Sequence, residues 1–304
     1  MPNPQVRTAP LTTAPNFASR ARALGKAALY LLIAFLSALL VSTVLKAITG
    51  RTLQDLMQAG PVNGLVAHAG LLLALVIIPT AVSLLVWREP FAWSGWSVVR
   101  GGRLAALGLI VGAGLMTLIV GVLWAAGLWS GALVPGSLNG VAGMVLVSAL
   151  LWLVQAAHEE GLHRGYAFVQ LSRALSFWPA AAILSLWFVW GHIGQPGATP
   201  VSLAVAGLFA LVLAWSFLRT GSLWFALGFH ASWNFTQSFV FGLANSGGAS
   251  PDALLASRLD GPPLLTGGSA GPEGSLLSLL AIVVLVAIVH FVLPRRNAAT
   301  SRAV

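Results

Sequence analysis

The charged residues of this 304-residue chain are separated by long apolar stretches. Between Lys26 and Lys46 lie 19 residues without a formal charge, and between Arg103 and Glu159 lie 55. A charge near the centre of a bilayer costs about 2.5 to 3.5 kcal/mol on insertion scales, so such gaps indicate membrane spans. Because one span needs roughly 20 residues, the longest gaps have room for two helices each.

Turn-forming residues divide the two longest gaps, at 127–140 and at 194–200. These segments carry the glycine, proline and asparagine that lipid-exposed backbone does not tolerate. The pattern therefore predicts an all-α fold, a polytopic transmembrane helix bundle of about eight helices. The predicted spans are 26–48, 64–87, 104–126, 140–163, 178–193, 201–218, 222–242 and 275–293.

Composition supports a membrane protein and excludes a soluble one. Hydrophobic residues make up 58% of the chain and charged residues 8%, with a mean hydropathy of +0.89. Soluble domains carry roughly 25% charged residues, so this chain has too few polar groups for a wetted surface. The chain has no cysteine, which excludes disulfides, cysteine-ligated zinc, iron–sulfur clusters and a cysteine nucleophile.

The lysines and arginines fall mainly on one side of the predicted bundle. That side carries 13 of the 16: Arg7, Arg20, Arg22, Lys26, Arg88, Arg100, Arg103, Arg164, Arg173, Arg219, Arg295, Arg296 and Arg302. The other side carries Lys46, Arg51 and Arg258. Since cytoplasmic loops carry the basic excess, we predict a multi-pass protein of the cell membrane with both termini in the cytoplasm. The net charge of +9 is thus a topology signal and predicts no nucleic-acid partner.

Five regions follow from these patterns. Residues 1–25 are expected to form a disordered cytoplasmic tail, because they lack acids and are rich in proline, alanine and threonine. Residues 26–139 hold the first three helices, and 140–242 hold helices four to seven. The glycine-, serine- and proline-rich segment 243–274 is predicted to be an external loop, and 275–304 the last helix with a basic tail.

Two acidic residues, Glu159 and Glu160, lie near the end of the apolar run 141–165, where a charge in lipid is energetically unfavourable. On a helix, Glu160 and Arg164 are i,i+4 neighbours in the order that favours an ion pair, while Glu159 points about 100° away. Glu159 is therefore free to act as a general base. The alternative is a charge cluster that merely ends the helix at the interface. The remaining acids fall in predicted loops and need no explanation there: Asp55, Glu89, Asp252, Asp260 and Glu273.

Polar side chains also interrupt two later apolar helices. His192 ends one, and His230 with Asn234 at i,i+4 share a face of another. Either histidine alone is more often a satisfied core residue, as we expect for His68 and His290. A base, two imidazoles and an amide in one bundle are nevertheless the parts needed to activate water and stabilise an oxyanion.

A metalloprotease helix of the H-E-x-x-H type is excluded on this segment. Glu159 follows His158, but the residue four positions after His158 is Leu162, and His163 lies one position too far along the helix.

These residues resemble the motifs of the CPBP intramembrane proteases, which include the CAAX prenyl protease 2 (Rce1-like) group and bacterial abortive-infection and bacteriocin-immunity relatives. EExxxRG matches Glu159, Glu160, Arg164 and Gly165; FxxxH matches Phe188 and His192; HxxxN matches His230 and Asn234. Each motif is weak alone, but the three stand in order on successive apolar helices. The resemblance covers about residues 140 to 242.

The resemblance implies an intramembrane endopeptidase in which Glu159 activates water with His192 nearby. His230 and Asn234 would stabilise the oxyanion or hold the water, and Glu160 and Arg164 would shape the site. His192, His230 and Glu159 could also ligate a zinc ion, although a metal-free glutamate mechanism is the alternative. The implied partners are the lipid bilayer and a membrane-associated or lipidated, CAAX-like peptide, cleaved near the cytoplasmic face.

Two other functions stay open from the sequence. Buried ionisable residues also mark the paths of transporters, although no symmetry between halves supports that function here. A non-catalytic immunity or scaffold protein would keep the same residues as structural contacts. The oligomeric state is not predicted, since the Gly108 to Gly112 spacing is common in membrane spans. Counting residues along the helices also places Glu159 and His192 about 15 Å apart along the membrane normal. A shared site therefore requires tilted helices or helix boundaries that differ from the predicted ones.

Overall fold

The computed structural model describes residues 11, 13–14, 16–98, 100–135, 140–248 and 252–294. Within these residues the chain is an all-α bundle with one small two-stranded sheet, which confirms the predicted fold class. The predicted tail up to residue 10 and the basic tail from residue 295 lie outside the described residues.

The helices and strands follow one another in this order: α1 Phe17–Thr49, α2 Leu53–Gln58, α3 Pro61–Leu72, α4 Ile78–Trp87, α5 Gly101–Ala125, β1 Trp129–Leu133, α6 Val141–Arg164, α7 Tyr166–Leu175, α8 Phe177–Trp190, α9 Pro200–Thr220, α10 Trp224–Phe235, β2 Leu255–Leu259, α11 Pro263–Thr266 and α12 Leu276–Phe291. Two π-helical turns, Leu73–Ile77 and Thr236–Val240, continue α3 into α4 and extend α10.

Five helical stretches are long and apolar enough to cross a membrane, and α8 and α12 are shorter apolar helices. Many large apolar side chains on their outer faces are exposed, among them Leu40, Ile110 and Leu186. Water would penalise such a surface, whereas lipid does not. The chain is a multi-pass membrane protein.

Part of the predicted disordered tail is helical. Helix α1 begins at Phe17, so residues 17–25 are helical and do not belong to a disordered tail. Asn16 caps this helix, because its side chain accepts a hydrogen bond from the Ser19 backbone N–H at 2.9 Å.

Helix α7 was not predicted, because its short stretch was read as the connection between two spans. Its side chains are mostly buried, including Tyr166 and Gln170. These two bind Glu89, so the prediction that Glu89 is a loop residue in need of no explanation is wrong. Glu89 forms an ion pair with Lys26 at 2.6 Å and accepts hydrogen bonds from Tyr166 and Gln170. We call these four residues the Glu89 cluster.

The segment 243–274 is more ordered than the predicted external loop. Strand β2 pairs antiparallel with β1, with Leu259 opposite Trp129. Farther along, Ala270 is fully buried, and Gly197 donates a backbone hydrogen bond to Ser246 at 3.2 Å. The segment therefore folds over one end of the bundle.

Glycines set the position of α10, which carries two of the predicted site residues. A Cβ at Gly108 or Gly112 of α5 would lie 2.3 Å from a backbone oxygen of α10, and one at Gly228 would lie 2.3 Å from the Ala105 carbonyl oxygen. The two helices can approach so closely only because these positions lack a side chain. The Gly108 to Gly112 spacing thus serves packing within the chain.

Candidate active site

A cavity of about 410 Å³ lies between α6, α9, α10 and the turn after α8. Five of the six predicted site residues line it: Glu159, Arg164, His192, His230 and Asn234. Glu160 is fully buried behind its wall. The two side chains that depth counting set far apart, Glu159 and His192, therefore face one space.

Glu160 holds Arg164 and His230 together. The Arg164 guanidinium donates to both oxygens of Glu160, with Nε to Oε2 at 2.6 Å and Nη2 to Oε1 at 2.7 Å. His230 Nδ1 lies 2.9 Å from Glu160 Oε1. Because an ionised carboxylate only accepts, Nδ1 carries the proton in this contact. A bidentate pair of this kind fixes orientation, and it fixes the histidine ring through Glu160.

Glu159 lies on the adjacent face of α6 and is held at one oxygen only. Gln155, one helical turn earlier, donates a hydrogen bond from Nε2 to Glu159 Oε1. Glu159 Oε2 lies 3.5 Å from His230 Nε2 and has no hydrogen-bond partner. Among the described residues it is the only buried carboxylate oxygen in that condition. Buried polar atoms are normally paired, so an exception in a cavity points to a ligand or a reacting molecule.

A relay of amide side chains supports Glu159 from behind. Asn245 donates to Asn234 Oδ1 at 3.1 Å, and Asn234 donates to Gln155 Oε1 at 3.0 Å. Gln155 completes the relay by donating to Glu159. Asn234 thus contacts the carboxylate through Gln155 and fixes its orientation.

His192 lies in the turn that follows α8. Its Nδ1 is 2.8 Å from the Phe188 carbonyl oxygen, one helical turn back. A carbonyl oxygen only accepts, so Nδ1 carries the proton and Nε2 is the nitrogen available for other contacts. The Phe188 ring packs against the imidazole, with centroids 4.5 Å apart.

The two histidines of α6, His158 and His163, pack against other aromatic rings. His163 packs against the rings of Trp187 and Phe188, and its Nδ1 lies 2.9 Å from the Glu159 carbonyl oxygen. His158 stacks on His68 with ring centroids 5.2 Å apart. Neither His158 nor His163 lines the cavity, whereas His68 does.

Several residues of this site were missed in the sequence. Gln155 could have been found, because it stands four residues before Glu159 in an otherwise apolar run. Glu273 was assigned to a loop, yet it lines the cavity and accepts hydrogen bonds from the Ser246 backbone N–H and hydroxyl. Burial raises the pKa of Glu273 above its ordinary value. Asn245 and His68 carried no signal, since only the folded chain brings them to this cavity.

The predicted zinc ligands are His192, His230 and Glu159. Both ring nitrogens of His230 face carboxylates, Glu160 and Glu159, at 2.9 and 3.5 Å. No group of three histidine, aspartate or glutamate side chains in the described part of the chain is arranged to hold a metal ion. A zinc site with an open water position takes three protein ligands. His192 and His230 each hold Nδ1 against an oxygen acceptor and leave Nε2 toward other partners, which is also the pattern of metal-ligating histidines, so a zinc ion stays a prediction.

The motif resemblance is supported by a comparison with known families. The family model for the type II CAAX prenyl endopeptidase Rce1-like proteins matches residues 140–236, about a third of the chain. The match begins just before α6, extends past α10, and includes all six predicted site residues. No curated protein and no solved structure shows a significant match.

Proposed function

We propose that the chain, whose residues 140–236 match the Rce1-like family, is an intramembrane endopeptidase that hydrolyses peptide bonds of membrane-associated or lipidated peptides. The observation that carries the proposal is Glu159 Oε2, a buried carboxylate oxygen without a hydrogen-bond partner, next to His230 in a polar cavity. A carboxylate that accepts a hydrogen bond at one oxygen and has only His230 Nε2, at 3.5 Å, near the other is suited to accept a proton.

In the proposed reaction Glu159 Oε2 takes one proton from a water molecule. The water oxygen forms a bond to the carbonyl carbon of the peptide, and the carbonyl oxygen takes up the negative charge. The C–N bond then breaks, and the proton on Glu159 goes to the leaving nitrogen. Gln155 keeps the carboxylate in position throughout, because it donates only to Glu159 Oε1, and Asn234 holds Gln155 in place.

The two histidines act as polar partners of the reacting atoms. His230 turns Nε2 toward Glu159 while Glu160 holds its Nδ1, so its ring is oriented before substrate binds. His192, with its proton on Nδ1, accepts at Nε2 and can take a hydrogen bond from the attacking water or from the N–H of the leaving nitrogen. Glu160 and Arg164 are positioning residues, because they act on the reaction through His230. None of these steps uses a metal ion.

The cavity wall favours an apolar substrate. Phe209 and Leu213 of α9 and Trp233 of α10 line it opposite the polar groups. Burying apolar side chains or part of a lipid against such a wall contributes roughly 25 cal/mol per Å². This supports the CAAX-like class of substrate, a peptide that carries hydrophobic residues or a lipid.

The test is cleavage of a membrane-peptide library by the purified, folded protein in detergent. Replacing Glu159→Gln should lower turnover by about a hundred- to ten-thousand-fold, the usual contribution of a positioned base. The matched control is Asp260→Asn, an acid whose side chain is 74% exposed and lies outside this cavity, which should leave turnover unchanged. Equal turnover in Glu159→Gln and the wild type would reject Glu159 as the base. Full biological activity of that variant would favour an immunity or scaffold protein.

Metal content separates the two forms of the mechanism. The proposal predicts cleavage that survives chelation, and no zinc bound in stoichiometric amount. Stoichiometric zinc in the wild type that is lost in His192→Ala and His230→Ala, with activity restored only by zinc, would replace the proposal with a metal-dependent one.

A further inference from the structure

The loops of the bundle gather at two opposite ends. At one end Arg219 of α9 donates to the carbonyl oxygen of His290 in α12 at 2.7 Å, and Leu223 donates to Gly95 at 3.0 Å. This end holds the larger set of basic residues and is called the arginine-rich end. The opposite end, the arginine-poor end, holds the β1–β2 sheet and the turn 194–200.

The cavity is walled by loops of the arginine-poor end only. Gln58, Gln195, Ser246 and Glu273 come from four different connections at that end, and all line the cavity. From the set of basic residues at the other end, only Arg164 lines it, at the floor and tied to Glu160.

A second cavity extends the first one along the same end. It measures about 510 Å³ and shares Gln58, Pro196 and Asn245 with the active-site cavity. Gln58 and Pro196 are exposed, as is Asp252 in the wall of the second cavity. The two cavities thus form a path from the polar site to the surface at the arginine-poor end.

The distribution of basic residues between the two ends indicates which compartment this surface faces. Of the 16 basic residues, 13 belong to the arginine-rich end and three to the other. Nine of those 13 lie within the described residues, so the asymmetry also holds there. Short loops with the basic excess stay in the cytoplasm during insertion. The arginine-poor end is then the non-cytoplasmic one.

We infer that the active-site cavity opens to the non-cytoplasmic side of the membrane and takes its substrate from there. The inference rests on the proposed protease function and names the side from which its substrate enters. The substrate is the non-cytoplasmic juxtamembrane part of a membrane-associated or lipidated peptide or protein. This differs from the cleavage near the cytoplasmic face that the family resemblance implies.

The absence of cysteine allows a direct test on the whole protein. Single variants Gln58→Cys at the cavity mouth and Ala206→Cys in the cavity wall are exposed to a small, charged, membrane-impermeant thiol reagent on intact cells. Ala18→Cys, exposed near the start of α1 at the arginine-rich end, is the matched control. We expect labelling of Gln58→Cys and Ala206→Cys in intact cells, and labelling of Ala18→Cys only after permeabilisation. The reverse pattern would overturn the inference.

A cleavage assay separates this inference from the protease function. One substrate segment is anchored so that it faces either side of the membrane, with Glu159→Gln as the blank. Cleavage of the non-cytoplasmic version alone supports the inference, and cleavage of the cytoplasmic version alone overturns it. If neither version of any cleavable segment is cut while the labelling is as expected, the protease function fails and the orientation of the cavity stands.

Discussion

Two partly buried carboxylates, those of Glu89 and Glu159, differ in how completely their oxygens are hydrogen-bonded. In the Glu89 cluster, Lys26 and Gln170 contact Oε1, and Tyr166 and Gln170 donate to Oε2. At Glu159, Gln155 holds Oε1, and Oε2 has no hydrogen-bond partner. A buried carboxylate normally keeps its charge only when it is paired and hydrogen-bonded. The first arrangement is that of a structural anchor, and the second is that of a group kept available for a proton.

The structural contacts beside Glu159 are made by its neighbour Glu160. Glu160 pairs with Arg164 and fixes His230, so it supplies the local structure. The structural and reactive tasks are therefore divided between adjacent residues of one helix. In the Glu89 cluster a single carboxylate performs only the structural task, joining α1 to α7.

The largest expected effect on stability comes from Arg164→Met. The change leaves Glu160 buried without its cation, and breaking a buried pair in this way costs about 3 to 5 kcal/mol. The free energy of unfolding in detergent is the measurement. Arg258→Met is the control, since Arg258 pairs with Asp260 on the surface and both are largely exposed. Equal effects of the two changes would contradict the structural role of the Glu160 pair.

A smaller loss of stability is expected for Glu89→Gln. The variant removes the charge from a pair whose carboxylate is 7% exposed, and leaves Lys26 poorly matched. We expect a loss of about 1 to 3 kcal/mol in the free energy of unfolding. The cleavage rate per folded molecule should stay at the wild-type level. A large loss of that rate would place Glu89 in the reaction and remove the contrast with Glu159.

The glutamines that donate to the two carboxylates, Gln155 to Glu159 and Gln170 to Glu89, give a matched pair of variants. Gln155→Leu removes the hydrogen bond to Glu159 and should lower the cleavage rate about tenfold, since one hydrogen bond contributes up to about 1.5 kcal/mol. Gln170→Leu removes the equivalent contact to Glu89 and should lower stability without changing the rate per folded molecule. Cleavage kinetics and unfolding are measured on both. Identical behaviour of the two would show that the clusters serve the same purpose.

The smallest effect concerns Glu273 and pH. Because burial raises the pKa of Glu273, the folded protein binds this proton more tightly than the unfolded chain. The resulting stabilisation is complete below the ordinary glutamate value of about 4.3 and is lost as the pH rises through the raised value. The stability of the wild type relative to Glu273→Gln should therefore fall as the pH rises across this range. A difference independent of pH would contradict the raised pKa.

The helices were predictable because the bilayer imposes a cost on every charge. Gaps between charges placed eight spans, and each has a helical counterpart in the structure. The cost of charges in the bilayer gives no information on short helices that lie next to charged residues. Helix α7, which lies next to Arg164 and contains Arg173, was therefore read as a connection. The cost of charges in the bilayer also gives no information on where a helix begins outside the membrane, so the cap at Asn16 was missed.

From helical geometry alone, the site was predictable only where one helix brings its residues together. The spacing of Glu160 and Arg164, and of His230 and Asn234, follows from helical geometry. Glu89 and Glu273 were assigned to loops because both lie outside the long apolar stretches, next to charged or turn-forming residues. Whether a loop folds back to bury a carboxylate depends on contacts distant in sequence, such as Lys26 with Glu89 and Ser246 with Glu273.

The contrast between the two carboxylates is tested most directly by one measurement, the peptide-cleavage rate per folded molecule for Glu159→Gln beside Glu89→Gln. The account predicts a loss of at least about a hundredfold in the first variant and a rate indistinguishable from the wild type in the second. Comparable rates in the two variants would contradict the central claim that Glu159, with its unpaired oxygen, is the group that activates water.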